Sequence, residues 1–401
     1  MNNIPVLSVS ILIVAAGWMT FSSQTLGEGG DQFLDGIGET ALVARYVLDG
    51  KGEDRSRNNF HAAVKGDKPA YVKDSKFGTV LSLTGGARGG YVQIPGQALI
   101  GVDSISVVGW VYVRDTSPGQ MFFDFGQDAK RSFFCTAIGK GSAKGLRAGI
   151  TATGESGQID LQAKPIATKK WVHLAVVLDA DKKTLSCYAD GVRVGRTAGV
   201  KLTLDKVFNQ NNAAGNVLTI GKIAGKQSNL NAKVHDLRIY RIALTDKQVG
   251  VIRTNALSGK KTAGLAADTT GGDTMTAADA AKALPKVSML MSIPDISVTT
   301  EAGHLPRLPY RIPGAYRDGV KGPEVRVIWP APADSSQTQK PGSYTITGTA
   351  PGTKFEPKAA VTVTASSKTH PLPKCGMAPF ALGDVVLNQD DKGGDTQFIK
   401  N

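Results

Sequence analysis

Residues 171–195, WVHLAVVLDADKKTLSCYADGVRVG, carry a pattern that few folds accommodate. Val172, Leu174, Val176 and Leu178 alternate with Trp171, His173, Ala175 and Val177, so one face of this strand is wholly apolar. A polar turn, Asp179 to Lys183, leads into Leu185, Cys187 and Ala189, which alternate with Ser186 and Tyr188. Asp190-Gly191 suits the positive φ angles of a tight hairpin turn, and Val192 and Val194 carry the chain back. The apolar face needs a second sheet to cover it, so this stretch points to a layered antiparallel protein.

The composition agrees. A chain of 401 residues is long enough for two or three domains, and its 41% hydrophobic and 20% charged residues are ordinary for globular proteins. With 47 Gly and 19 Pro, turns are favoured over long helices. The net charge of +13 is concentrated: between residues 41 and 257, 31 Lys or Arg face 17 Asp or Glu, and the remainder is nearly balanced. Those cations are scattered, Lys169-Lys170 and Lys182-Lys183 being the densest groups, and no basic helix or aromatic-interleaved stripe appears. The pattern argues against nucleic acid; a solvated basic surface is expected, with an acidic polymer as the alternative partner.

The motifs W-x-H-x-A and L-x-C-Y-x-D-G-x-x-V-G within residues 171–195 resemble late strands of the LamG, or concanavalin A-like, jelly-roll family. Three further segments resemble it in family order: Ala41 to Ala63 with Asp54, Ser56 and Asn58 in a D-x-S-x-N loop; Phe77 to Gly86; and Leu218 to Val249, where Ala243-Leu244-Thr245 leads into a short helix. The resemblance implies an all-β fold, a concanavalin A-like jelly-roll sandwich over residues 39–257, recognising a polysaccharide or glycan. Within it Ser104 to Arg114 is a central strand apolar on both faces, and Trp110 is expected as core. No surface aromatic pair stands out as a sugar platform. If the first strand (Ala44 to Leu48) pairs antiparallel with the last (Val234 to Tyr240), Asp49, Asp54, Asn58 and Asp236 converge. Such oxygens suit Ca²⁺, and relatives of the fold carry a structural calcium there. Ordinary turn chemistry, Asp and Asn bonding their own backbone, is the competing reading.

Residues 1–23 read as a secretory signal, from the apolar run Pro5 to Phe21 followed by Ser22-Ser23, with an uncleaved anchor as the alternative because no Lys or Arg precedes the run. Secreted, periplasmic or cell-surface placement follows, without stable membrane insertion after signal removal. Residues 24–38 are a Gly-rich spacer, and residues 258–286, rich in Ala, Thr, Gly and Lys, a linker. Residues 287–366 hold short alternating strands, and Leu305-Pro306, Asp318-Gly319, Trp329 and Pro341-Gly342-Ser343-Tyr344 resemble the bacterial immunoglobulin-like family. That resemblance implies a smaller immunoglobulin-like β-sandwich serving as a spacer, with Trp329 between its sheets. In the tail, 367–401, Pro379-Phe380 through Leu387 resemble the opening of β-L-arabinofuranosidases, which implies a chain that stops where a catalytic domain begins.

No catalytic constellation is legible. Jelly-roll glucanases resemble one another in an E-x-D-x-x-E strand, which this sequence lacks; Glu39, Glu53 and Glu155 lie too far apart to share a strand. There is no G-x-S-x-G elbow, and His61, His173, His235, His304 and His370 are scattered singly. Cys135, Cys187 and Cys375 make no metal spacing; buried thiols are expected, with a Cys135–Cys187 bridge as the alternative. The chain as given reads as a non-catalytic, exported glycan-binding or adhesion protein. The accessory part of a glycoside hydrolase and an envelope protein with a protein partner are the alternatives.

Overall fold

The computed structural model describes Ile37 and residues 40–258 and 286–366, apart from 68, 87–88, 141–144, 155–156, 224–227 and 333. The expected signal segment, nearly all of the spacer, the linker interior, and the tail with Cys375 lie outside the described residues.

The alternation in residues 171–195 becomes three neighbouring strands of one sheet. That sheet runs β13 (Val192–Ala198), β12 (Thr184–Ala189), β11 (Val172–Asp179), β6 (Ile105–Val113), β15 (Ser228–Tyr240), β4 (Gly78–Gly86) and β3 (Ala70–Asp74), with β1 (Leu42–Tyr46) also on β15. The second sheet runs β10 (Ile159–Gln162), β9 (Arg147–Thr151), β8 (Arg131–Ile138), β7 (Gln120–Asp128), β14 (Val217–Ile220), β5 (Tyr91–Ile94) and β2 (Ala63–Lys65). Every pairing in the two sheets is antiparallel. Inward side chains of both, among them Val107, Val111, Leu174, Val176, Phe123, Phe125 and Phe133, form one core. Cys187 joins it as the strand pattern requires, and Cys135 enters from the other sheet; both are free thiols.

The outer face of the first sheet is covered over half its length. Thr245 opens helix α1 (Asp246–Ser258) with a reciprocal cap: its Oγ1 accepts the Gln248 N–H at 3.3 Å while Gln248 Oε1 accepts the Thr245 N–H at 2.9 Å. Val249 and Ile252 of α1 then pack on Val108, Ala175, Val177 and Tyr188, the outward residues of β6, β11 and β12. A strand apolar on both faces is thereby buried on both.

The second unit completes this cover. It comprises β16 (Leu290–Ser292) paired with β19 (Ala315–Tyr316), β18 (Arg311–Pro313) with β20 (Glu324–Arg326), and a sheet of β17 (Ile296–Glu301), β22 (Lys358–Thr364) and β21 (Gly342–Thr347) in which β17 and β22 are parallel. Val287, Met289, Leu290, Ile312, Tyr316 and Val325 share a core with α1 and the outer face of the first sheet. Tyr316 is the wedge: its hydroxyl donates to Pro323 O at 2.6 Å and accepts from Arg241 Nη1 at 2.7 Å. Its ring lies against Gly322, where an added Cβ would sit 2.4 Å from the ring. Arg317 pairs with Asp103, and Ser288 Oγ donates to Ser104 O at 2.9 Å. The expected spacer is thus docked on the first unit. Trp329 is half-buried at the edge of this shared core rather than enclosed, its indole N–H donating to Pro309 O at 2.8 Å. Gly322→Ala should lower the unfolding free energy by about 1–3 kcal/mol through overpacking against Tyr316. Chemical denaturation reads this, and an unchanged midpoint would show that the ring is not held.

Candidate functional site

The expected calcium cluster forms part of its geometry. β1 pairs antiparallel with β15, Tyr46 opposite Leu237 and Leu42 opposite Tyr240, so the Asp54 loop and Asp236 do come together. What meets them is arginine and backbone. Asp236 sits at a β-bulge between His235 and Arg238 with a left-handed φ of 44°, and its N–H donates to Val47 O at 3.2 Å. Its buried carboxylate accepts from Arg45 Nε at 2.8 Å and from Arg238 Nη2 at 2.6 Å. Burial opposes that charge, but Arg238 and then Arg45 hold the carboxyl far below the usual carboxylate range.

Asp54 accepts the backbone N–H groups of Arg45 (2.9 Å), Ser56 (2.8 Å) and Phe60 (3.0 Å) as well as the Ser56 hydroxyl (2.9 Å), the turn chemistry that competes with metal binding. Asn58 turns its amide N–H₂ to Leu42 O and Val43 O, and Asp49 pairs with Arg55 at 2.9 Å. A calcium cage needs six to eight free oxygens. The three carboxylates are committed to cations and N–H groups, Asn58 is oriented by its N–H₂ bonds to backbone, and no cluster of three or more His, Cys, Asp or Glu suited to a metal occurs among the described residues. The four residues as arranged do not fit calcium. Thermal unfolding should therefore be the same in EDTA and in excess CaCl₂; a calcium-dependent rise in Tm would reverse this reading.

The other half of the outer face carries different chemistry. Across β11, β6 and β15, His173, Trp110 and His235 are directly opposed, a row of three aromatic side chains. Lys233 lies opposite Tyr112 one row on, with Trp171 at the head of β11 beside them. His173 and Trp110 are each 1% exposed and His235 9%, whereas Tyr112, Trp171 and Phe77 are half-buried. Trp171 meets Tyr112 edge-on with ring centroids 5.8 Å apart, and Lys233 Nζ stands 4.1 Å above Tyr112 and 5.3 Å above Trp171. Asp74 ties the group together, pairing with Lys233 and accepting the Trp171 indole N–H at 3.1 Å. Burial raises the Asp74 carboxyl, but the hydrogen bonds from Lys233, Lys76 and Trp171 hold it below its ordinary value.

The rim is rich in cations. Lys76, Lys170, Lys233 and Arg253 gather there against Asp74 and Asp190, and Arg253 Nε approaches Asp190 Oδ1 to 4.0 Å without a hydrogen bond. The sequence places Trp171, Tyr112 and Phe77 far apart, so the platform became visible only with the β6–β11 and β6–β15 registers. Chemically, half-exposed rings beside an ion pair can stack on the apolar face of a sugar and bond its hydroxyls.

Burial pushes the His173 imidazole down to about 3, with Arg238 adding to the effect and Asp236 opposing it; burial lowers His235 as well. The unfolded chain, with its histidines near the ordinary value of about 6.5, then binds more protons than the native one, so stability falls as pH drops from about 6.5 towards 3. Between pH 7 and about pH 4.5 His173 alone accounts for a loss of about 2–3 kcal/mol. His173→Phe should narrow the difference between urea denaturation curves at those two pH values, and an undiminished difference would assign the acid sensitivity elsewhere.

Among the described residues no helix is long and apolar enough to cross a membrane. No curated protein matches the chain. Among solved structures it is similar to domain 4 of AbnA, a GH43 extracellular arabinanase from Geobacillus stearothermophilus, seen with arabinotriose, at 23% identity over 52% of this chain and 97% of that one, TM-score 0.42. It is also similar to the binding domain of botulinum neurotoxin serotype C1, at 11% identity over 79% of this chain and 71% of that one, TM-score 0.42. The binding domain of Paraclostridial Mosquitocidal Protein 1 is a third, at 14% identity over 54% and 52%, TM-score 0.41. Family models match two segments, residues 84–250 as the concanavalin A-like lectin/glucanases superfamily and residues 293–353 as the bacterial Ig-like domain, group 4. The chain carries a concanavalin A-like lectin/glucanase domain followed by a bacterial Ig-like domain.

Proposed function

We propose that this is an exported, non-catalytic glycan-binding or adhesion protein that holds a saccharide on the outer face of its first sheet. The observation that carries the reading is the half-exposed Trp171–Tyr112 pair with the Lys233–Asp74 ion pair beside it. Stacking on aromatic faces uses the axial C–H groups of a sugar, and the Lys233 ammonium beside the rings offers a donor for hydroxyls. The excess of cations on the rim supports acidic saccharides, such as uronate-bearing chains, as the preferred class. The Asp74 carboxylate is held by Lys233 and Trp171, which suits it to orienting those two groups rather than to transferring protons.

A glycan array tests the reading. The wild-type protein should bind a restricted set of plant or algal saccharides, and Trp171→Ala should weaken that binding by about tenfold or more while leaving the fold intact. Acidic saccharides should lose affinity as salt rises from about 0.05 to about 0.5 M. An array on which Trp171→Ala matches the wild type would remove the platform, and salt-independent binding would remove the acidic preference.

A further inference from the structure

Among the described residues, seven side-chain polar atoms are buried without a hydrogen-bond partner. Four of them belong to one place. Trp110 Nε1, His173 Nδ1 and His235 Nδ1 come from the opposed row on β6, β11 and β15, and Arg253 Nε stands beside it near Asp190. Buried polar groups are nearly always paired, and an orphaned one marks stored strain, an ordered water or a ligand's place. Three on adjacent strands, aimed to one side of a sheet around an indole ring, have the makings of a built site.

A short turn covers them. The residues between β3 and β4, Ser75 to Phe77, fold over the row: the Phe77 ring stacks on His235 with centroids 4.6 Å apart and 22° between planes, and leans on Trp110 at 5.2 Å. Lys76 Nζ lies 4.2 Å above the Trp110 ring. These are ring and cation–π contacts, which satisfy none of the orphaned nitrogens. The Lys76 backbone N–H bonds Asp74 Oδ1 at 2.9 Å, within the turn itself. Lys76 is exposed and Phe77 half-buried, so the cover has solvent on its far side. Phe77 also touches Trp171 edge-on at 5.0 Å, and the covered row is therefore continuous with the open platform.

We propose that the His173–Trp110–His235 row is a covered saccharide subsite, reached when the Ser75–Phe77 turn lifts, in which a neutral sugar ring stacks on Trp110. Its hydroxyls bond His173 Nδ1 and His235 Nδ1, and one that reaches past the edge of the indole accepts from Trp110 Nε1. The inference rests on the glycan-binding reading and adds an inner pocket to it. Neutral imidazoles suit such a role because Nδ1 accepts from a hydroxyl in one tautomer and donates to it in the other. A sugar ring that displaces Phe77 exchanges an aromatic contact for a C–H face on the same rings and adds hydrogen bonds that Phe77 cannot make. The cover taxes binding, since the competent state is only a fraction of the population.

The test is a ¹⁵N-labelled titration of the full chain with xylotriose, arabinotriose, galactotriose, cellotriose and trigalacturonate, following the indole N–H resonances assigned by Trp110→Phe and Trp171→Ala. At least one neutral trisaccharide should shift both the Trp171 and the Trp110 indole signals. Phe77→Ala, which removes the cover, should bind the same trisaccharide about fivefold or more tightly. Shifts at Trp171 with Trp110 unmoved, in the wild type and in Phe77→Ala alike, overturn the subsite and leave the glycan reading standing. Failure of all five probes to move either indole overturns both. Should Phe77→Ala not fold, the wild-type Trp110 signal decides alone.

Discussion

The long strand β15 is held in register by one buried carboxylate. Asp236, left-handed at the bulge, is gripped by Arg45 from β1 and by Arg238 two residues along its own strand. Removing either cation would leave the buried charge with one partner in place of two, and an undercompensated buried charge is among the costlier defects a core can carry. The bulge also divides the outer face. Before it, Lys233 and His235 look towards the aromatic row; after it, Tyr240 enters the core shared with α1 and the second unit. One irregular residue thus separates an aromatic surface from a docking surface on the same strand.

That division explains why the outer face is aromatic in one half and aliphatic in the other. Val108, Ala175 and Val177 receive Val249 and Ile252 from α1 and a set of apolar residues from the second unit, a contact driven by removal of apolar surface from water. Trp110, His173 and His235 receive only a turn. The first contact is broad and close-packed, with Tyr316 filling the space left by Gly101 and Gly322. The second leaves nitrogen atoms unpaired.

Much of the fold was legible because period-two alternation and a family resemblance pointed the same way. The two-sheet sandwich, the buried Cys187, the pairing of first and last strands, and the short helix after Thr245 are all present. Burial of both faces of β6 was legible too, from its unbroken apolar run. The site was not. Acidic residues that converge on paper were read through their oxygens, and nothing in the spacing showed that Arg45 and Arg238 would reach Asp236 first. The aromatic platform was hidden for a different reason: Phe77, Tyr112 and Trp171 belong to three separate turns and strands, and only register brings their rings within 5.0 and 5.8 Å of Trp171. His173, a singly placed histidine in the sequence, takes its meaning from Trp110, which stands opposite it in β6.

The docked helix sets a limit on what shape can be grasped. From Tyr112 to Val108 along β6 is four residues, roughly 13 Å of strand, before α1 and the second unit close off the sheet. A long polymer lying parallel to these strands would collide with that wall. Whatever meets this half of the outer face therefore does so beside a wall, and the fold leaves it open only towards the Tyr112 end.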